Sequence, residues 1–315
     1  MSTLIVSHPI CTQHETGSYH PECPERIVAI ARALEAEEQR VGFLLRRQEA
    51  PLADLAPIER IHPYSYVAKI LAAVPEHGYH YLDSDTVLSP HSGQAALRAV
   101  GAVLAAVDAV ACGMARNAFC AVRPPGHHAE PTRAMGFCLF NNVAIGAYHA
   151  RACHGFRRVA VVDFDVHHGN GTQEAFWNDG NMFYASTHQS PCYPGTGTPE
   201  ERGCANNIVN VPLAPGSKSE DFRHGVTVHI LPALRAFKPD FLLFSAGFDA
   251  HIRDPLASLH LVETDFDWVT RTIGQVAVEC CGGRIVSVLE GGYDLTALSQ
   301  SVTAHVHALR DLSSE

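Results

Sequence analysis

Seven short apolar runs recur along the chain with helix-spaced segments between them, and this alternation constrains the fold more than any other feature. The runs are LIVS (4–7), AFCAV (118–122), VAVVDF (159–164), MFYAS (182–186), NIVNVPL (207–213), FLLFSAG (241–247) and IVSVLEGG (285–292). Several are continuous and rich in Val, Ile or Phe, as expected of strands buried on both faces of a parallel sheet. Helical spacing occupies 23–40, 92–113, 141–153, 218–237 and 264–281. Strands alternating with helices predict an α/β fold with a mostly parallel sheet. No internal repeat, low-complexity tract or linker interrupts the pattern, so one domain over 1–315 is the economical reading. Pro239 predicts the end of the helix at 218–237, and Thr264-x-x-Asp267 predicts the cap of the last long helix.

Composition narrows the classes of partner. The chain carries 33 acidic against 23 basic residues, a net charge of −10, and no run of Lys or Arg that could track a phosphate backbone. Direct nucleic-acid binding is therefore not expected. The terminus MSTLIVSHPI lacks a basic n-region. The longest apolar stretch, 99–114, is interrupted by Asp108 and falls short of a span of roughly 18 residues. Both point away from secretion and membrane insertion. The ten Cys are scattered without a C-x-x-C pair, which predicts reduced, mostly core thiols in a cytoplasmic protein, with the adjacent Cys280 and Cys281 unbridged.

The polar residues collect at strand ends. RPPGHHAEP follows AFCAV, DVHHGNG follows VAVVDF, FDAHIRDPL follows FLLFSAG, and EGGYDL includes the exit from IVSVL. Ligands bind beyond the carboxyl ends of strands in open parallel sheets, so four ends converge His, Asp and Tyr on one place. Asp165 and His167, two apart at a strand end, can reach one ion, and Asp249 supplies a third donor from another strand. That set leaves an open position, as a catalytic zinc site requires; Fe(II), Co(II) or Mn(II) would also fit. Pro124, Pro125 and Gly126 fix where His127 and His128 point. Asp163, inside the apolar run, needs a partner: an imidazole to orient, backbone amides or a monovalent cation. Tyr293 follows two glycines and is either a packed aromatic or a phenol presented to the cleft. Isolated histidines such as His62 and His305 are expected to be surface or satisfied core groups.

RPPGHHA, GFCLFNNVAI, VVDFDVHHGNGTQ, YPGTG, ERGCANNIVNVPL, SAGFDAHIRDPL and EGGYDL together resemble the histone deacetylase superfamily, in particular its class II-like branch of bacterial deacetylases and acetylpolyamine amidohydrolases. The likeness runs from HETGSYHPECPERI (14–27) nearly to the carboxyl terminus. It implies the arginase/deacetylase fold, a single doubly wound domain around a parallel sheet of about eight strands. It also implies that Asp165, His167 and Asp249 bind zinc, with iron or cobalt as alternatives. His127 and His128 fall on the family's tandem histidines, with Asp163 and Asn170 as their respective partners. Asn170 stands where other branches have Asp, which leaves the proton affinity of His128 less raised.

Tyr293 matches the transition-state tyrosine of the family. Gly136, Phe137 and Tyr193 match its acyl-lysine tunnel, with Leu256 at the rim in place of the Glu that gates a polyamine-specific relative. Asp85 is a candidate for binding substrate backbone. The resemblance also implies potassium sites that use Asp163, Asp165, His167 and Ser186 with backbone oxygens, as structural ion sites. His168 is expected to be structural rather than catalytic.

The implied reaction is zinc-dependent removal of an acetyl or related acyl group from a primary amine such as a lysine side chain of a protein or peptide. His128 serves as base and then acid, and His127 as its electrostatic partner. Acetylpolyamine or small-amide hydrolysis is the rival within the same chemistry. A catalytically silent binding protein on the same fold and an arginase-like two-manganese hydrolase are the readings outside it. An oligomer is compatible with the sequence.

Overall fold

The computed structural model describes residues 3–42 and 45–312. Its strands are β1 (Thr3–Ser7), β2 (Arg46–Glu49), β3 (His80–Tyr81), β4 (Val87–Leu88), β5 (Asn117–Cys120), β6 (Val159–Asp163), β7 (Met182–Gln189), β8 (Ile208–Leu213), β9 (Phe241–Ala246) and β10 (Ile285–Leu289). Eight of them form one sheet in the order β2-β1-β5-β10-β9-β6-β7-β8. Every neighbouring pair in it is parallel, while β3 and β4 make a separate antiparallel pair.

All seven apolar runs are strands of the sheet. The eighth, β2, reads RRQE with all four residues on the exposed edge, a charged rim that blunts strand-to-strand association. At the opposite edge β8 carries Pro212, which a central strand would not tolerate.

The helices are α1 (Glu25–Val41), α2 (Leu55–Ile58), α3 (Tyr64–Ala72), α4 (Ser92–Ala111), α5 (Asn142–His154), α6 (Asn170–Phe176), α7 (Ser219–Gly225), α8 (Leu231–Phe237), α9 (Glu263–Cys281) and α10 (Leu295–Asp311). They cover both faces of the sheet. Within β5, Phe119 meets His305 of α10, while its neighbour Cys120 donates to the Ala102 carbonyl of α4. By length and composition α4 could cross a membrane, but it is mostly buried here as a core helix.

Two local expectations are corrected and a third holds with an irregularity. The helix expected at 218–237 runs without a gap from Ser219 to Phe237, through α7, a π turn at Val226–Ile230 and α8. The turn falls just before Pro232, whose nitrogen has no hydrogen to give the preceding turn. The cap of α9 is Asp265, which accepts from the amide of Val262, rather than the Thr264–Asp267 pair. Nor is α9 the last long helix: α10 follows it, and its buried face mixes Ser301 and His305 with Val302 and Val306, which weakens the apolar period. The helix ends at Phe237 and β9 begins at Phe241, on either side of Pro239, as expected. All ten cysteines are free thiols as expected, but only Cys11, Cys120, Cys138 and Cys281 are buried, so they are not mostly core groups.

Candidate active site

The four strand ends singled out above belong to β5, β10, β9 and β6, four consecutive strands in the middle of the sheet. Beyond β6 the period of two persists. Phe164 and Val166 belong to the hydrophobic core, while Asp163 meets His127 and Asp165 and His167 meet Asp249. The apolar pair anchors the segment that carries the ligands.

Asp165, His167 and Asp249 are buried together, with one candidate ligand atom from each within 4.8 Å of the others. His167 Nδ1 lies 3.2 Å from Asp165 Oδ1 and 3.1 Å from Asp249 Oδ2. Backbone amides of His167 and Gly291 donate to Asp165, and that of Val166 to Asp249. A Cβ at Gly247 or Gly291 would overlap these carboxylates, so the chain leaves the space around them to the donors. Two buried carboxylates side by side are costly without a cation. One imidazole and two carboxylates form the mixed nitrogen and oxygen donor set that suits zinc and similar dications.

The paired histidines stand beside this trio with ring centroids 4.0 Å apart. His127 Nδ1 meets Asp163 Oδ2 at 3.0 Å, and Asp163 also accepts from the Tyr184 hydroxyl. His128 Nδ1 meets Asn170 Oδ1 at 2.9 Å. The Asn170 amide has its orientation set by Glu130, whose carboxylate accepts from Asn170 Nδ2 at 2.7 Å. With an oxygen facing it, His128 Nδ1 carries the proton and Nε2 is the basic nitrogen.

The two histidines are driven apart in affinity. Burial opposes charge on His127, but Asp165 and Asp163 outweigh it and raise its pKa to about 10. Burial, reinforced by His127 and His167, pushes His128 well below the usual imidazole range.

Above them a cleft of about 230 Å³ is lined by Asp85, Phe137, Tyr193 and Leu256 and by His127, His128, His167 and Tyr293. Gly136 has φ +55°, and a Cβ there would meet His128 Cδ2 at 2.5 Å, so the approach of the wall to the base requires glycine. Phe137 follows at φ +68°, with its amide donating to Thr86 Oγ1 and its ring edge-on to His20 and Tyr293. Tyr193 crosses His128 at 5.1 Å. Burial, then Asp249, raises the Tyr293 phenol well above its ordinary pKa, which keeps it a neutral donor. The residues assigned from the sequence to catalysis, metal and substrate thus meet around one cleft, with Asp163 and Asn170 behind it, whereas Ser186 lies beside Asp163 on β7 with its hydroxyl against His188 Nδ1. His168 is held by Thr196 and Gln173, in keeping with a structural role.

Four residues escaped the sequence reading. Glu290 accepts from the amides of Gly126 and His127 and so pins the histidine turn. Asp254 joins the amide of Tyr293 to that of Leu256 at the rim. Fully buried Glu22 holds Arg26, which donates to the carbonyls of Glu290 and Gly292 and lies 5.0 Å over the Tyr293 ring. Charged residues embedded in EGGYDL and FDAHIRDPL, and an i,i+4 Glu–Arg pair in HPECPERI, were the available signals.

Comparison with known proteins agrees with this geometry. The family model described as the histone deacetylase domain matches residues 20–309. Histone deacetylase 14 of Arabidopsis thaliana, named as chloroplastic, is 41% identical, covering 97% of this chain and 76% of its own. A probable deacetylase of Archaeoglobus fulgidus is 39% identical over 94% of this chain and 82% of its own. A histone deacetylase-like amidohydrolase of Pseudomonas aeruginosa is 38% identical over 89% and 74%. The crystal structure of the HDA15 HD domain superposes with a TM-score of 0.92 at 34% identity, covering 100% of this chain and 90% of that one, which establishes the arginase/deacetylase fold. By strand order, site geometry and sequence, the chain belongs to the histone deacetylase family.

Proposed function

We propose that this protein is a zinc-dependent deacetylase that hydrolyses the acetyl-amide of a primary amine, with the lysine side chain of a peptide or protein as its substrate class. The observation that carries the reading is the cleft. An aromatic-walled opening at Phe137 and Tyr193 ends on a buried histidine pair, a three-donor metal-type cluster and a neutral phenol.

Zinc held by Asp165, His167 and Asp249 would supply Lewis-acid polarisation of the amide carbonyl and a lowered pKa for a bound water. The remaining work falls to the chain. Neutral His128, its Nδ1 held by Asn170, takes a proton at Nε2 and returns it to the leaving amine. His127, braced by Asp163, holds positive charge beside it. Tyr293 donates its hydroxyl to the oxygen on which negative charge develops. Phe137 and Tyr193 exclude water from the methylene stem. Asp85 at the mouth accepts from substrate backbone amides, and Leu256 there lacks the carboxylate that gates a polyamine-specific relative, which removes that reason to prefer a cationic chain. Asp163, Asp165, His167 and Ser186, with backbone oxygens, would also hold a structural potassium ion.

The test is a rate comparison of an acetyl-lysine peptide, acetylputrescine and acetylspermidine, with metal content measured on the same sample. Peptide turnover that rises with zinc content supports the reading. Zinc-loaded, folded protein that hydrolyses none of the three overturns it, and a preference for the polyamines moves the substrate assignment to the rival class.

A further inference from the structure

Away from the cleft, α4 and α5 bring together a second set of metal-type donors. Asp108, on the last turn of α4, meets Nε2 of His149 and Nε2 of His154 with the same oxygen, each at 2.7 Å. One ligand atom from each of the three lies within 4.8 Å of the other two. Among the described residues this is the one such group besides the trio in the cleft. The two imidazoles sit at the carboxyl end of α5 with ring centroids 5.9 Å apart. Because α5 starts beside the histidine turn, where Asn142 donates to Pro124, its far end lies about 18 Å away along the axis.

We propose that Asp108, His149 and His154 form a second cation site, for a transition-metal dication of the zinc type, which clamps the carboxyl ends of α4 and α5 together. Two imidazoles among three donors select zinc, cobalt, nickel or copper over magnesium and calcium, which take oxygen sets. Both rings already aim Nε2 at one point. The Nδ1 of His149 lies 3.4 Å from Cys153 Sγ, a weak acceptor for its hydrogen when Nε2 ligates.

The contacts at 2.7 Å are hydrogen bonds. Tetrahedral ligands around zinc stand roughly 3.3 Å apart, so each imidazole must part from the carboxylate by about 0.6 Å. Asp108 is half exposed and its side chain is able to swing that far. The same exposure provides an entry path and an open position for water. The Arg60 guanidinium, 3.5 Å from His149 Nδ1, weakens the hold on a dication. The site is therefore weaker and faster to exchange than the buried trio.

The experiment uses the holoenzyme equilibrated with buffered free zinc and reads metal per chain by elemental analysis, alongside deacetylase turnover. Wild type is expected to bind two ions. His154→Gln and Asp108→Asn are each expected to bind one with unchanged turnover, because a direct ligand costs at least the roughly 100-fold in affinity that a supporting residue can cost. His167→Ala should lose the other ion. A wild-type stoichiometry of one overturns the proposal, as does an unaltered stoichiometry in His154→Gln and Asp108→Asn. Stoichiometry is read independently of turnover, so failure here and failure of the deacetylase reading give different results.

Discussion

Replacing Asn170 by Asp places a carboxylate against the proposed base. Asn170 Oδ1 lies 2.9 Å from His128 Nδ1. With charge centres about 4 Å apart and an effective dielectric of about 20, a full negative charge attracts the imidazolium by about 4 kcal/mol, equivalent to about three pK units. The amide oxygen already supplies part of this as a hydrogen bond, which leaves an expected rise of about one to two units. His128 acts as a base only when neutral. Raising its pKa therefore moves the acid limb of kcat/KM to higher pH by the same amount, and below that limb the rate falls about tenfold per unit. Glu130, 2.7 Å from Asn170 Nδ2, would face the new carboxylate, so Asn170→Asp is paired with Glu130→Gln to keep the Asp ionised. The assay is kcat/KM against pH on an acetyl-lysine peptide for wild type, the single variant and the pair at equal zinc content. An acid limb that stays in place in both variants removes His128 and Asn170 from the base role; a limb that moves down refutes the sign.

Tyr293→Phe is expected to lower kcat by about 10²–10³, the usual cost of one oxyanion donor, with zinc content unchanged by elemental analysis; equal activity would remove Tyr293 from that role. Gly136→Ala drives a Cβ against His128 at a positive φ and should cost about 10² in kcat/KM through misplacement of the base, whereas wild-type kinetics would show that the wall gives way freely. Acid should unfold the protein steeply. Burial lowers His14 and His62 to about 4 and His305 to about 3. Their stabilisation is full above the unfolded value of 6.5 and is lost as pH falls from there towards 4. His168 and His188, lowered by burial to about 3 and 4, add two more protons taken up on unfolding, and the raised carboxyls of Glu290 and Asp254 release two, so the net near pH 5.5 is about three, or about 4 kcal/mol per pH unit; a urea midpoint that is flat between pH 7 and 5 would contradict this.

Much of the site was legible because it lies on strands. In VVDFDVHHGNGTQ the alternation of apolar and polar residues shows which side chains leave the core, and the spacing of Asp165 and His167 identifies a pair able to share an ion. Glu290 and Asp254 were not legible as supports. A buried carboxylate acquires its role from the amides it meets, and those belong to residues more than a hundred and about forty positions away in the cases of Gly126 and Tyr293. The edge strand β2 was illegible for the opposite reason: its four residues are polar and exposed, so it carries no apolar signal at all.

By itself the sequence determined the α/β class, the seven apolar strands and the identity of the groups delivered at their ends, since burial and strand period are local properties written residue by residue. Only the tertiary structure decided that β5, β10, β9 and β6 are neighbours, so that their ends share one cleft. It alone also decided that Asp108 of one helix meets His149 and His154 of the next. Adjacency of that kind arises from crossover connections and packing between distant segments, which no local pattern records.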